Sequence, residues 1–168
     1  MKLTIVINGK GGVGKDTLCR FAAERYKTRN ISSITPIKEL AALCGWKGEK
    51  TDRARKFLSD LKALTAAYND YPTNYLTSEY RDFLRSDDQL LFVHIREPEE
   101  IGKFVSATGG EAKTLLVRGG ERFVRAAYGN ASDDGVEDYP YDFTFVNDRP
   151  LEETKDAFLA FLDGIVGA

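Results

Sequence analysis

Apolar residues in this chain fall into short unbroken runs separated by stretches in which they recur every three or four positions. Leu3 to Ile7 is such a run, β-branched and continuous, and it gives way at once to the glycine-rich GKGGVGKDT. A buried parallel strand entering a loop reads this way. From Lys15 onward Leu18, Phe21, Ala22 and Tyr26 keep helical spacing, so the opening segment predicts strand, loop, helix. Asn30 to Thr35 predicts a second short strand, and Pro36 opens a helix carrying Ile37, Leu40, Ala41 and Leu43. Between Thr51 and Arg85 two helical patterns follow, one with Phe57, Leu58, Leu61 and Leu64, the other with Leu76, Tyr80, Phe83 and Leu84. The breaker Asp70-Tyr71-Pro72 separates them.

Gln89 to Ile95 predicts an inner strand, Glu99 to Ala107 the helix after it, and Ala112 to Val117 a further strand. The stretch 118–138, RGGERFVRAAYGNASDDGVED, is too polar and glycine-bearing for a core and is expected to form a flap. Tyr141 to Asn147 predicts the last strand. Pro150 starts a helix whose face is Leu151, Phe158, Phe161, Leu162 and Ile165, with proline placed at a first helical turn. Strands and helices alternating in this order imply a parallel five-stranded sheet with helices on both faces, a three-layer α/β fold.

The 168 residues suit one domain, 1–168, because a chain of this length already buries most of its unfolded surface. With 24 basic against 26 acidic residues and a formal charge of -2, the chain lacks the uncompensated basic surface that duplex nucleic acid requires, so no nucleic-acid partner is expected. No apolar stretch approaches a membrane span and the N-terminus lacks a signal-peptide pattern, which predicts a cytoplasmic protein with no membrane association. Cys19 and Cys44 stand apart without metal-ligand spacing and are read as free thiols.

Gly9-Lys10-Gly11-Gly12-Val13-Gly14-Lys15 fits G-x-x-x-x-G-K, the Walker A pattern, between a predicted strand and a predicted helix. Glycines let the backbone wrap closely around a phosphate with its N–H groups turned inward, and Lys15 at the helix N-terminus meets the outer phosphates. This predicts ATP as ligand, bound by Gly9, Gly11, Gly12, Val13, Gly14, Lys15, Asp16 and Thr17. The residue after Lys15 is Asp16 rather than Ser or Thr; its carboxylate is the candidate ligand for a phosphate-bound Mg²⁺, and the Thr17 hydroxyl the candidate contact to the α-phosphate. Arg96 follows the predicted inner strand directly and so stands at the carboxyl edge of the sheet, where open α/β sheets bind ligands.

Two family resemblances bear on these residues. The loop alone is similar to the variant loop of partition and nitrogenase-reductase type ATPases, whose signature lysine falls on Lys10 and acts across a dimer; no paired acidic switch strand follows between Ile31 and Lys50. Most of the chain resembles the P-loop nucleoside monophosphate kinases, especially the deoxynucleoside monophosphate kinase and phosphomevalonate kinase branches. The likeness runs through GKDT, PIKEL at 36–40, KTDRARKFLSDLK, the strand with IREPEE at 95–100, an arginine-bearing flap, and YDFTFVNDRPLEE.

The kinase resemblance implies transfer of the ATP γ-phosphoryl to a small phosphorylated acceptor, most simply a nucleoside or deoxynucleoside monophosphate, by a monomer or homodimer. It implies that Arg96 grips the acceptor phosphate with Glu97 or Glu100 orienting it, and that a helical insertion at about 45–86, bearing Arg53, Arg55 and Lys62, covers the acceptor. Arg118, Arg122 and Arg125 become lid arginines of a flap at 118–138, closing over the charge that develops in phosphoryl transfer. The resemblance further implies that the loop of Asn147, Asp148, Arg149 and Pro150 lies under the adenine. His94 stands where such kinases often carry an acidic residue serving Mg²⁺, and a neutral imidazole does not supply that charge. A switch ATPase using Lys10, and a nucleotide-binding protein without kinase activity, are the competing expectations.

Overall fold

The structure, a computed structural model, describes residues 1–120 and 135–168. Five strands, β1 (Leu3–Asn8), β2 (Thr28–Ser32), β3 (Leu90–His94), β4 (Lys113–Gly119) and β5 (Phe143–Asn147), lie in one parallel sheet in the order β2-β3-β1-β4-β5. The helices among the described residues are α1 (Lys15–Ala23), α2 (Thr35–Leu43), α3 (Asp52–Asn69), α4 (Tyr71–Arg85), α5 (Pro98–Ala107) and α6 (Leu151–Val166). They flank the sheet on both sides, giving the three-layer α/β fold that the alternating pattern predicts.

The strand alternation distributes the core. Ile5, Ile7, Leu90, Phe92, Leu115, Val117 and Phe145 face Leu18, Cys19 and Ala22 of α1 and Phe158 and Leu162 of α6. Val6, Ile31, Leu91 and Val93 face Leu76 and Phe83 of α4 and Ile101 and Phe104 of α5. Because β1 is buried on both faces between β3 and β4, the loop that leaves it emerges at the centre of the carboxyl edge. In register, Ile7 pairs with His94 and Asn8 with Leu116.

Several boundaries differ from the sequence pattern, each for a tertiary reason. β2 begins at Thr28, before the expected Asn30, because Thr28 pairs with Leu90 of β3. β4 runs on to Gly119, so Arg118 is a strand residue rather than the start of a flap: Arg118 pairs with Val146 and Gly119 with Asn147. Asp70, at φ 54, both ends α3 and precedes α4, as the breaker predicts. Pro150 stands at the cap position just outside α6 rather than in its first turn. On that helix Leu151 is exposed, while the buried face is Thr154, Phe158, Leu159 and Leu162. α3 buries no residue, and its Phe57 and Leu64, placed on an apolar face by their spacing, are exposed. This helix packs on α2 and α4 rather than on the sheet.

Candidate active site

The loop after β1 is built by backbone geometry only glycine tolerates. Gly12 and Gly14 have φ of 80 and 93, a left-handed conformation that L side chains avoid. A Cβ on Gly9 would stand 2.5 Å from the Val117 carbonyl oxygen, and one on Gly14 would stand 2.7 Å from Asn147 Nδ2. The loop therefore packs directly on the ends of β4 and β5. At Gly12 a Cβ would meet nothing within 4 Å, so the loop is open on the side away from the sheet. Lys15 begins α1 and folds back over the loop, its Nζ donating to the carbonyls of Gly9 at 2.6 Å and Lys10 at 3.0 Å. Asp16 is exposed in the first turn of α1, and Thr17 Oγ1 accepts from Arg20 Nη2 at 3.2 Å.

Two buried asparagines hold this loop, one at the end of β1 and one at the end of β5. Asn147 Nδ2 donates to the Val13 carbonyl at 2.9 Å, while Asn147 Oδ1 lies 3.2 Å from Thr154 Oγ1 as its acceptor. Asn8 Oδ1 accepts from Gly9 N at 2.9 Å, and Asn8 Nδ2 donates to the Arg96 carbonyl and to Tyr141 Oη, both at 2.9 Å. Tyr141 Oη in turn donates to the Val136 carbonyl at 2.6 Å. Neither Asn8, Tyr141 nor Thr154 is distinguished by the sequence motif. The only signal available in the sequence is a polar residue closing an otherwise apolar strand.

Beside the loop, the chain leaving β3 carries His94, Arg96 and Glu97. His94 Nε2 lies 3.1 Å from Asn30 Oδ1 and 4.0 Å from Cys19 Sγ. Burial pulls the imidazole below its ordinary value, and burial pushes the Cys19 thiol up to about 12, so both are neutral near pH 7. Further along the same edge, Lys62 of α3 is largely buried. Its Nζ reaches Ser33 Oγ at 3.1 Å and Glu97 Oε2 and Glu100 Oε2 at 2.9 Å each. Burial pushes the Glu100 carboxyl up to about 7. Burial also acts to raise Glu97, but Lys62 and the hydrogen bonds from Glu100 and Lys62 outweigh it and hold Glu97 low. The cluster thus joins α3, α5 and the end of β2 around one cation. A second pair, Lys103 with Asp70 at 2.8 Å, ties α5 to the α3–α4 corner.

The same architecture occurs in known kinases. A sugar kinase from a Janibacter species matches over 97% of this chain and 95% of its own, with a TM-score of 0.56 at 15% identity. Shikimate kinase from Aquifex aeolicus matches over 98% of each chain, with a TM-score of 0.51 at 13% identity. A gluconokinase from Sinorhizobium meliloti matches over 98% of this chain and 95% of its own, at 0.50 and 18% identity. The chain has the fold of the P-loop kinases. No protein-family model matches it, and no curated protein does.

Within that fold, Gly9, Gly11, Gly12, Val13, Gly14, Lys15, Asp16 and Thr17 come together in the loop and first turn of α1, and Arg96 and Glu97 stand on the neighbouring chain. Asn147 lies beneath the loop with its amide committed to Val13, while Arg149 and Pro150 lie exposed in the turn before α6. Arg118, on β4, pairs with Glu137 at 2.9 Å. Arg122 and Arg125 lie outside the described residues. Arg53 is exposed near the start of α3, and of the three basic residues expected on that insertion it is Lys62 that turns inward. Among the described residues no three His, Cys, Asp or Glu side chains gather into a metal site. Magnesium commonly binds through one or two carboxylates and substrate phosphates, and the exposed Asp16 carboxylate at the loop suits that mode. No described helix is long and apolar enough to cross a membrane.

Proposed function

We propose that the chain is an ATP-dependent phosphotransferase acting on a small phosphorylated acceptor, most simply a nucleoside or deoxynucleoside monophosphate. The observation that carries this reading is the juxtaposition, through Asn8, of a phosphate loop headed by Lys15 with the Arg96 main chain. Donor and acceptor anions are then served by separate cations at one sheet edge. The kinase names of the structural neighbours support ATP-dependent transfer to a small substrate.

In this reading the loop amides and Lys15 hold the outer phosphates of ATP, and Thr17 the α-phosphate. Asp16 would hold Mg²⁺, which when bound would supply positive charge to offset the negative charge of the phosphates. Arg96 fixes the acceptor phosphate, which is already anionic, so no group on the protein needs to remove a proton before attack. Positioning and charge neutralisation supply the rate enhancement. Arg118, Arg122 and Arg125 serve the transferring phosphoryl group, and Arg149 with Pro150 borders the adenine. His94, neutral, leaves Asp16 as the carboxylate for the metal.

One observation favours a second reading. Glu100, whose carboxyl burial pushes up to about 7, lies against Lys62 and Glu97 at the start of α5, and a carboxylate of that basicity suits removal of a proton from an attacking hydroxyl. The acceptor would then be a polyol or hydroxy acid, in the manner of the sugar, gluconate and shikimate in the neighbours' names.

A coupled assay of ADP release with Mg²⁺·ATP decides between them. The panel holds the common nucleoside and deoxynucleoside monophosphates, mevalonate phosphate, gluconate and shikimate. Acceptor-dependent turnover with a monophosphate is expected. Turnover only with a hydroxyl acceptor establishes the second reading. Hydrolysis without any acceptor, with ATP-dependent dimers in light scattering, would turn the assignment to a Lys10 switch ATPase.

A further inference from the structure

We infer that Asn8 is a positioning residue that ties the donor loop to the acceptor arm, so that occupancy of the loop is felt at Arg96 and at Tyr141. The inference rests on the reading of Gly9–Thr17 as the donor loop and Arg96 as the acceptor arm. Asn8 is 1% exposed at the end of β1, and all three bonds of its side chain run to different segments. Its oxygen takes the Gly9 amide, one hydrogen goes to the Arg96 carbonyl and the other to Tyr141 Oη. Tyr141 passes its own hydrogen to the Val136 carbonyl. The amide has one orientation in this setting, because turning it over would set its oxygen against the Arg96 carbonyl and leave the Gly9 amide facing a donor.

The loop end of this chain of bonds is the part a phosphate changes. Lys15 donates to the carbonyls of Gly9 and Lys10, and an arriving triphosphate competes with those carbonyls for the ammonium. The Gly9–Lys10 peptide, next to a Cα so close to β4 that a Cβ would stand 2.5 Å from the Val117 carbonyl oxygen, then readjusts with its neighbouring amide still held by Asn8. A buried, fully satisfied side chain transmits such a shift because its three partners cannot be re-paired independently. Gly9, Arg96 and Tyr141 therefore adjust as one unit, and the separation of donor and acceptor phosphates is set by a side chain that touches neither.

Hydrogen exchange read by mass spectrometry tests this on the full chain with AMP-PNP and Mg²⁺. In wild type, AMP-PNP slows exchange in peptides covering 95–98 and 136–141 by about fivefold or more, the lower end of typical site-to-site coupling. Asn8→Asp keeps the acceptor for Gly9 but removes both donors, so at AMP-PNP concentrations that saturate the variant both protections disappear. Tyr141→Phe removes only the second branch, so protection is lost at 136–141 and kept at 95–98. A residue that merely stabilises the fold would lower the melting temperature without changing this bound-minus-free pattern. Protection in Asn8→Asp equal to wild type overturns the inference while leaving the donor-loop reading intact. Failure of wild type to bind AMP-PNP overturns the donor-loop reading itself and the inference with it. Should Asn8→Asp not fold, Tyr141→Phe decides, and retained protection at 136–141 overturns the proposal.

Discussion

Replacing Asn147 with alanine separates two roles for this residue. As a loop clamp, Asn147 donates to the Val13 carbonyl at 2.9 Å and accepts from Thr154. Truncation leaves that buried carbonyl without its donor, a loss of about 1–3 kcal/mol, whereas Thr154 Oγ1 keeps the Arg149 carbonyl at 3.1 Å. At roughly 2–4 °C per kcal/mol for a domain of this size, the melting temperature should fall by about 2–12 °C. The freed loop must then be ordered by its ligand. If one residue's worth of backbone order shifts onto binding, about 1–2 kcal/mol, ATP binds about 5- to 30-fold more weakly. Calorimetric titration with both ATP and tripolyphosphate is the decisive assay, since the clamp acts on the phosphates and both ligands should lose affinity equally. An adenine contact would instead weaken ATP alone and leave the melting temperature in place. An unchanged melting temperature with unchanged tripolyphosphate affinity would refute the clamp.

Lys15→Ala should abolish phosphoryl transfer and weaken ATP binding, whereas Lys10→Ala should leave transfer nearly intact; a loss of several hundredfold in the latter, seen in steady-state rates, would favour the switch ATPase. Arg96→Ala should raise the acceptor's KM by about 10- to 100-fold with ATP affinity scarcely changed, because a charge-assisted phosphate contact contributes about 1.5–3 kcal/mol. Loss of ATP binding with acceptor binding intact would reverse the two substrates across the sheet edge. Glu100, raised from 4.5 to about 7, binds its proton more tightly folded than unfolded, so its contribution to stability declines as pH rises from about 4.5 to about 7 and is level above. His94, lowered from 6.5, acts oppositely, its contribution being lost as pH falls below about 6.5. The difference in melting temperature between wild type and Glu100→Gln isolates the first effect, and a difference constant between pH 5 and 8 would contradict it.

The order of strands and helices, the glycine loop after β1 and the position of Arg96 after an inner strand were legible in residue identity and spacing. These are local properties: β-branched runs, helical spacing, glycine where φ must be positive, and a basic residue directly after an inner strand. Loop glycines announce themselves because the backbone conformation they permit is denied to other residues, so the position of the loop after β1 follows from residue identity. Tertiary structure alone decided where those elements end and what holds the site. Arg118 is a strand residue because β5 offers it Val146 as a partner, a contact made across the sheet. Lys62, expected to face an acceptor, instead turns inward because Glu97, Glu100 and Ser33, from the start of α5 and the end of β2, close around it. Leu64 shares the apolar spacing of its helix yet is exposed, because α3 packs on α2 and α4 and not on the sheet. Asn8 looks like an ordinary strand-end polar residue, and Asn147 reads as part of the adenine loop rather than as a clamp on Val13. Their roles arise because parallel strands distant in sequence finish side by side, so each buried amide meets carbonyls and amides from other segments and takes up bonds that no local pattern specifies.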